Sequence, residues 1–488
     1  MQCSRLLLAA ALSSLLVVAV ACGSAPPETA SSTIAATASI GASALSSHDG
    51  DRRPDPALKG PFEIGFTSEV IVDASRDTTS DYHGRPVGLF VFYPVNPRDI
   101  SSATPLATYP LDPIYGLAST ATSANFEKYG IDRAYAAPRA SSKGPFPLVV
   151  FSPGWGLDAN GYHYVGTRLA SHGFVVAVLT HYRDCNFPYE ACDFLETTMF
   201  NRPRDVSFAL DRLLARNKAR RDILHRVIAP DHVAASGHSL GGLSASTLAG
   251  GDDVVCDFGD FDPGFTVDDP STCAPTPPDR RIKTIATLDG SDWLLRFPEM
   301  RRISVPALTL GQEWTALTDP LDWRWNTWHA RAHLAMSGEP NYRVELSRTD
   351  HLSFSNVCEL LKVYEDAGAG IYDQSFMDLL FNDWFNCLGK MPWTESEQLQ
   401  TKYMVAFLKE VLADDPSYEY LLTPGWALRN APDVEFFVRE RWEAEDVKVN
   451  WPPFEAYYAH QPGHGGPPPP HGGHHGGSGV YAGVRGYR

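Results

Sequence analysis

The apolar residues of this chain collect into short, unbroken runs. VGLFVFYPV (87–95), FPLVVFSP (146–153) and FVVAVLTHY (174–182) come first. Residues 232–237, IKTIATL (282–288) and VPALTL (305–310) follow. Runs this short, rich in β-branched residues and bounded by turn formers, predict strands buried on both faces. YRVEL, residues 342–346, alternates instead and predicts an edge strand with one wet face. Helical spacing fills the gaps. Val206, Ala209, Leu210, Leu213 and Leu214 share one helix face, and Pro203 suits the first turn of that helix. Thr394 and Glu397 have the spacing of a capping box that opens a helix through Leu412. Strands alternating with helices predict an α/β fold: a mostly parallel, doubly wound sheet with helices on both faces and inserted loops.

The two ends lack this pattern. Arg5 precedes an apolar run over residues 6–21, too short to cross a membrane comfortably, so residues 1–21 read as a signal peptide. The run ends Ala19-Val20-Ala21-Cys22, small residues before a cysteine, as in a bacterial lipoprotein box. Cys22 is therefore the expected lipidation site. Ala19 and Ala21 also satisfy the rule for ordinary secretion, and either route exports the chain. Residues 22–58, rich in Ala, Ser, Thr and Pro, have almost nothing to bury and read as a disordered tether. Residues 451–488, rich in Gly, Pro and His, read as a disordered tail. Its His464, His471, His474 and His475 could bind a metal weakly, but a solvated tail accounts for them and no metal is expected. The catalytic unit is expected over 59–450.

Composition narrows the class. Of 488 residues, 43% are hydrophobic and 20% charged, enough apolar surface for a large soluble core. A net charge of −17 argues against a nucleic-acid surface. Beyond Cys3 and Cys22, six cysteines remain, an even set that suggests disulfides in an exported chain. Pairing neighbours, each closing a local loop, gives Cys185–Cys192, Cys256–Cys273 and Cys358–Cys387.

Candidate chemistry sits where the run at 232–237 ends. Gly237-His238-Ser239-Leu240-Gly241 has the G-x-S-x-G form of a nucleophile elbow, in which a sharp strand-to-helix turn exposes a serine hydroxyl. A serine needs a base, and the base needs an orienting carboxylate. In such a sheet both follow the serine in the chain. His329 and His333 lie in a helical-looking stretch and suit surface or packing roles. His351, in the loop after the last candidate strand, is the expected base. For the acid, Asp289 and Glu313, each at a strand end, stand nearly even. The residue after the nucleophile, Leu240, supplies one oxyanion N–H, and the PGWG loop (153–156) supplies the second.

Several segments together resemble the platelet-activating-factor acetylhydrolase family, serine esterases of the α/β-hydrolase fold that release short acyl groups from the sn-2 position of phospholipids. These are VDASRD, GRPVGLFVFYPV, GPFPLVVFSPGWG, LASHGFVVAVLTHYRD, RPRDVSFALDRLLA, GHSLGG, IATLDGSDW and DHLSFSN, spread over residues 62–422. The resemblance implies Asp289 as the acid over Glu313, and Trp155 as the second oxyanion donor. It implies no metal or organic cofactor. The expected substrate is a small ester or a phospholipid, met at a membrane surface through the lipid anchor. Pro153 stands where the family usually has histidine, and 256–273 and 97–143 read as insertions. Two rivals share parts of this reading: a secreted polyester or triacylglycerol hydrolase with the same triad, and a non-catalytic surface lipoprotein whose Pro-rich tail binds a partner.

Overall fold

The computed structural model describes residues 55–439 apart from 77–81, 115–120, 185–192, 194, 252–269, 296, 313–328, 330–331 and 367–390. The expected signal segment, Cys22, the tail and nearly all of the tether lie outside the described residues, as does Glu313.

The apolar runs became the centre of one sheet. In chain order its strands are β1 (Glu63–Asp73), β2 (Arg85–Val95), β3 (Ala134–Ala136), β4 (Phe146–Ser152) and β5 (Val175–His181), then β6 (Ile228–His238), β7 (Ile282–Leu288), β8 (Ala307–Gln312), β9 (Asn341–Leu346) and β10 (Val434–Arg439). Across the sheet the order is β10-β9-β8-β7-β6-β4-β5-β2-β1-β3. From β5 to β9 every neighbouring pair is parallel; β2 on one side and β10 on the other run antiparallel. With the crossing helices, this is an α/β-hydrolase fold.

Alternation along each strand divides the core in two. Val149, Phe151, Val176 and Val178 face one layer, with Val165 and Leu169 of α1 (His163–Ser171) and Met404 and Phe407 of the long helix after residue 392. Leu148, Val150, Val175 and Ala177 face the other, with Val206 and Leu213 of α2 (Leu195–Lys218) and Leu243 and Leu248 of α3 (Leu240–Leu248). Removing one large side chain such as Phe151 from this packing would cost about 3–5 kcal/mol.

Three local expectations are corrected. Residues 341–346 are not an edge: β10 pairs with β9 and all six of its residues are buried, so alternation there reflects buried Arg343 and Glu345. Pro203 lies inside α2, which begins at Leu195. The helix α5 (Trp393–Leu412) starts before Thr394, with Pro392 at its cap and no side-chain cap bond. Glu397 is turned into the core instead of closing a capping box. Between α3 and α5 lies α4 (Val357–Asp366).

The order of strands reverses between β4 and β6. The chain leaves β4 for β5 on one side and returns to β6 on the other, with Ser152 paired to Gly237 at the carboxyl ends. Ligands of open α/β sheets bind at this kind of switch point. Both the PGWG loop and the serine turn emerge there.

Candidate active site

Ser239 stands between β6 and α3 with φ 56° and ψ −123°. A non-glycine residue in that region carries strain of roughly 1–3 kcal/mol, held by the surrounding structure. Its backbone is over-determined: Ser239 N–H donates to the Leu288 carbonyl, and its own carbonyl accepts from the N–H groups of Gly242, Leu243 and Ser291. The glycine two places on is obligatory. A Cβ on Gly241 would lie 1.9 Å from the Ser152 carbonyl oxygen, so the turn closes on β4 only without a side chain. Ser239 Oγ is buried and makes no hydrogen bond among the described residues.

Asp289 directly follows β7, at φ 41°, and its carboxylate is fully buried. Its Oδ2 accepts from His351 Nδ1 at 2.5 Å. His351 begins a short 3-10 turn, His351–Phe354, whose cap residue Asp350 accepts from the Ser353 N–H at 3.0 Å. With Nδ1–H spent on Asp289, the basic lone pair of a neutral His351 is on Nε2. The structure thus brings Asp289 and His351 together, one residue past the strand paired with the serine turn.

His238 locks this arrangement from behind. Gly154 N–H donates to Tyr162 Oη at 2.8 Å, and Tyr162 Oη is 2.8 Å from His238 Nδ1. The tyrosine proton therefore goes to His238 Nδ1, and His238 Nε2–H donates to the His351 carbonyl at 2.9 Å. The two imidazoles are also in contact, centroids 4.6 Å apart with their planes tilted by 39°. Burial, together with the neighbouring His351, holds His238 well below the ordinary histidine range, consistent with the neutral tautomer. In the sequence His238 was only the x of G-x-S-x-G.

His329 is the second residue the sequence reading missed. It is fully buried, not at the surface, and its Nε2 donates to Asp289 Oδ1 at 2.9 Å. Gly311 makes the room: a Cβ there would lie 2.4 Å from the His329 ring. The Gln312 backbone and side-chain N–H groups add contacts to the same carboxylate, each at 3.3 Å. Burial raises the Asp289 carboxyl, but the hydrogen bonds from His329 and His351 outweigh it and hold it below the usual carboxylate range. Burial lowers His329, yet its hydrogen bond to Asp289 and the nearby Asp292 carboxylate, 3.9 Å from Nδ1, lift it to about 9. His333 is buried too, its Nδ1 3.0 Å from Asn341 Oδ1, a packing role.

Beneath the site lies a second Ser-His-Asp chain. Ser152 Oγ is 2.8 Å from His181 Nε2, and His181 Nδ1 is 2.9 Å from Asp205 Oδ2. All three residues are fully buried, and Asp205 is committed to Arg85 and Arg76. No substrate reaches it; it is structural.

Residues 52–188 match the family model described as platelet-activating factor acetylhydrolase, isoform II. A platelet-activating factor acetylhydrolase of Cavia porcellus is 28% identical over 136 residues, 26% of this chain and 28% of that protein. The chain is similar to the platelet-activating factor acetylhydrolases over this stretch. It thus aligns with little more than a quarter of the curated relative's length. The matched residues carry β1 to β5 and the PGWG loop and stop before Ser239. A ferulic acid esterase from Streptomyces cinnamoneus shares the fold, at a TM-score of 0.50 and 21% identity over 79% of this chain and 99% of that one.

Proposed function

We propose that this chain is a serine carboxylic-ester hydrolase that works through an acyl-enzyme. The observation that carries the reading is the uncommitted hydroxyl of Ser239, held in a strained turn beside the Asp289–His351 pair. His351 Nε2 accepts the Ser239 proton as Oγ attacks the ester carbonyl carbon. Asp289 stabilises the imidazolium, and the N–H groups of Trp155 and Leu240 hold the oxyanion. Collapse of the tetrahedral intermediate expels the alcohol, which leaves with the proton from His351. Water, deprotonated by His351, then releases the acid and restores Ser239.

The substrate class we assign is a short acyl ester, with the sn-2 position of a phospholipid first. The match of residues 52–188 and the name of the guinea-pig relative support this choice. A lipid on Cys22 would hold the site near a membrane surface. The test compares acetate release from a 1-alkyl-2-acetylglycerophosphocholine with release from its long-acyl analogue and from a triacylglycerol emulsion. The acetyl substrate should be favoured in kcat/KM by at least about tenfold, the scale on which a shaped apolar pocket discriminates. Faster release of fatty acid from the emulsion would instead make the chain a triacylglycerol-type esterase.

A further inference from the structure

The loop after β4 is gripped by one side chain. Arg202, in α2, is 1% exposed. Its Nη1 donates to the Pro153 carbonyl at 2.6 Å and its Nη2 to the Gly154 carbonyl at 2.9 Å. The remaining edge of the guanidinium is held by Asp184, through Nε at 2.9 Å and a shorter bond from Nη2. Ser152 Oγ lies 3.4 Å from Nη1, and His181 and Asp205 fix that hydroxyl in turn. A planar fork with five donors can meet these acceptors at once; an ammonium cannot.

This grip decides where the amides of the loop point. The N–H of Gly154 is spent on Tyr162 Oη, and that of Gly156 on the Asp184 carbonyl at 3.0 Å. The N–H of Trp155, between them, has no acceptor among the described residues. The Gly154–Trp155 peptide is trans, so this N–H points opposite the Gly154 carbonyl and therefore away from Arg202. The loop itself rests on the serine turn. A Cβ on Gly154 would be 2.8 Å from His238 Nδ1, and one on Gly241 would be 2.5 Å from the Pro153 oxygen.

We propose that Arg202 is the positioning residue of the oxyanion hole, fixing the Trp155 N–H by holding the two carbonyls that precede it. This rests on the esterase reading of Ser239. It assigns to the buried Ser152–His181–Asp205 chain a purpose that its Ser-His-Asp order conceals. That chain orients the guanidinium and performs no hydrolysis.

Two variants test the proposal. Arg202→Lys keeps the charge opposite Asp184 but loses the fork. Arg202→Met combined with Asp184→Asn removes the pair without leaving a buried charge alone, which by itself can unfold a protein. Folded, active molecules are counted by the end point of fluorophosphonate labelling. In the double variant kcat on a p-nitrophenyl acetate substrate should fall about 10²–10³-fold, the loss seen when one oxyanion donor is removed. In Arg202→Lys it should fall at least about tenfold, with KM within about twofold in both. The inhibition constant of a trifluoromethyl ketone, whose adduct places an oxyanion in the hole, should rise by the factor that kcat/KM falls. A merely supporting Arg202 would lower the melting temperature and leave kcat and ketone affinity together near wild type, and that result overturns the proposal. A kcat loss with unchanged ketone affinity overturns it as well. Failure of the esterase reading looks different: the wild-type chain would then neither turn over the ester nor take the phosphonate.

Discussion

His329 donates its Nε2–H to Asp289 on the carboxylate oxygen that His351 does not use, at 2.9 Å. One buried carboxylate therefore serves two imidazoles. His329, lifted to about 9, is charged at neutral pH and shares the negative charge of that carboxylate with His351. Replacing it with glutamine keeps a donor and removes the cation. This substitution, His329→Gln, tests a stability effect. A folded value raised above the unfolded value of about 6.5 gives stability fully present below that pH and lost as pH rises through about 9. The wild-type melting temperature should fall more steeply across this window than that of the variant.

Asp289→Asn should lower kcat by about four orders of magnitude while the protein stays folded. The amide cannot accept from both imidazoles, and the His351 tautomer is lost. Glu313→Gln should be mild by comparison. Steady-state rates on one short-chain ester, with melting curves for each variant, check both.

A second pH effect involves two glutamates that the mechanism does not use. Glu359 of α4 and Glu397 of α5 are both buried and interact. Burial pushes Glu359 up to about 8 and, with the charge of Glu359, pushes Glu397 well above the ordinary range. For an acid raised in this way the folded state binds the extra proton. Its contribution is complete below about 4.3 and lost as pH rises through about 8. Glu359→Gln, neutral at every pH, should melt close to wild type at pH 5 and clearly higher at pH 9.

Cys273 and Cys358 are disulfide-bonded, whereas the other mature cysteines fall outside the described residues. Alkylation without reduction should leave both unmodified. Peptide mapping should join Cys273 to Cys256 and Cys358 to Cys387. Recovery of either as a free thiol would contradict this.

Much of the frame was legible because buried strands have continuous apolar sequences, and β4, β5, β6 and β7 carry them. The strands β1 and β10 carry no such run: EIGFTSEVIVD and VEFFVR mix polar with apolar residues, and their pairing depends on distant partners. The serine turn was legible through Gly237 and Gly241, whose missing side chains are demanded by contact with neighbouring backbone. Asp289 and Glu313 could not be separated by chain order alone; only the third dimension puts a carboxylate 2.5 Å from His351. His329 and Arg202 left no local signal. Each is an ordinary residue in a helical stretch until the fold brings it against Asp289 or the PGWG loop.

The central claim is that Ser239 is the nucleophile. Intact protein is treated with a fluorophosphonate, its ester turnover followed, and the adduct mapped by peptide mass spectrometry. One adduct per chain on Ser239, loss of turnover in proportion to labelling, and an inert, unlabelled Ser239→Ala are the expected result. Turnover that survives in folded Ser239→Ala, or a stoichiometric adduct on another residue, would contradict it.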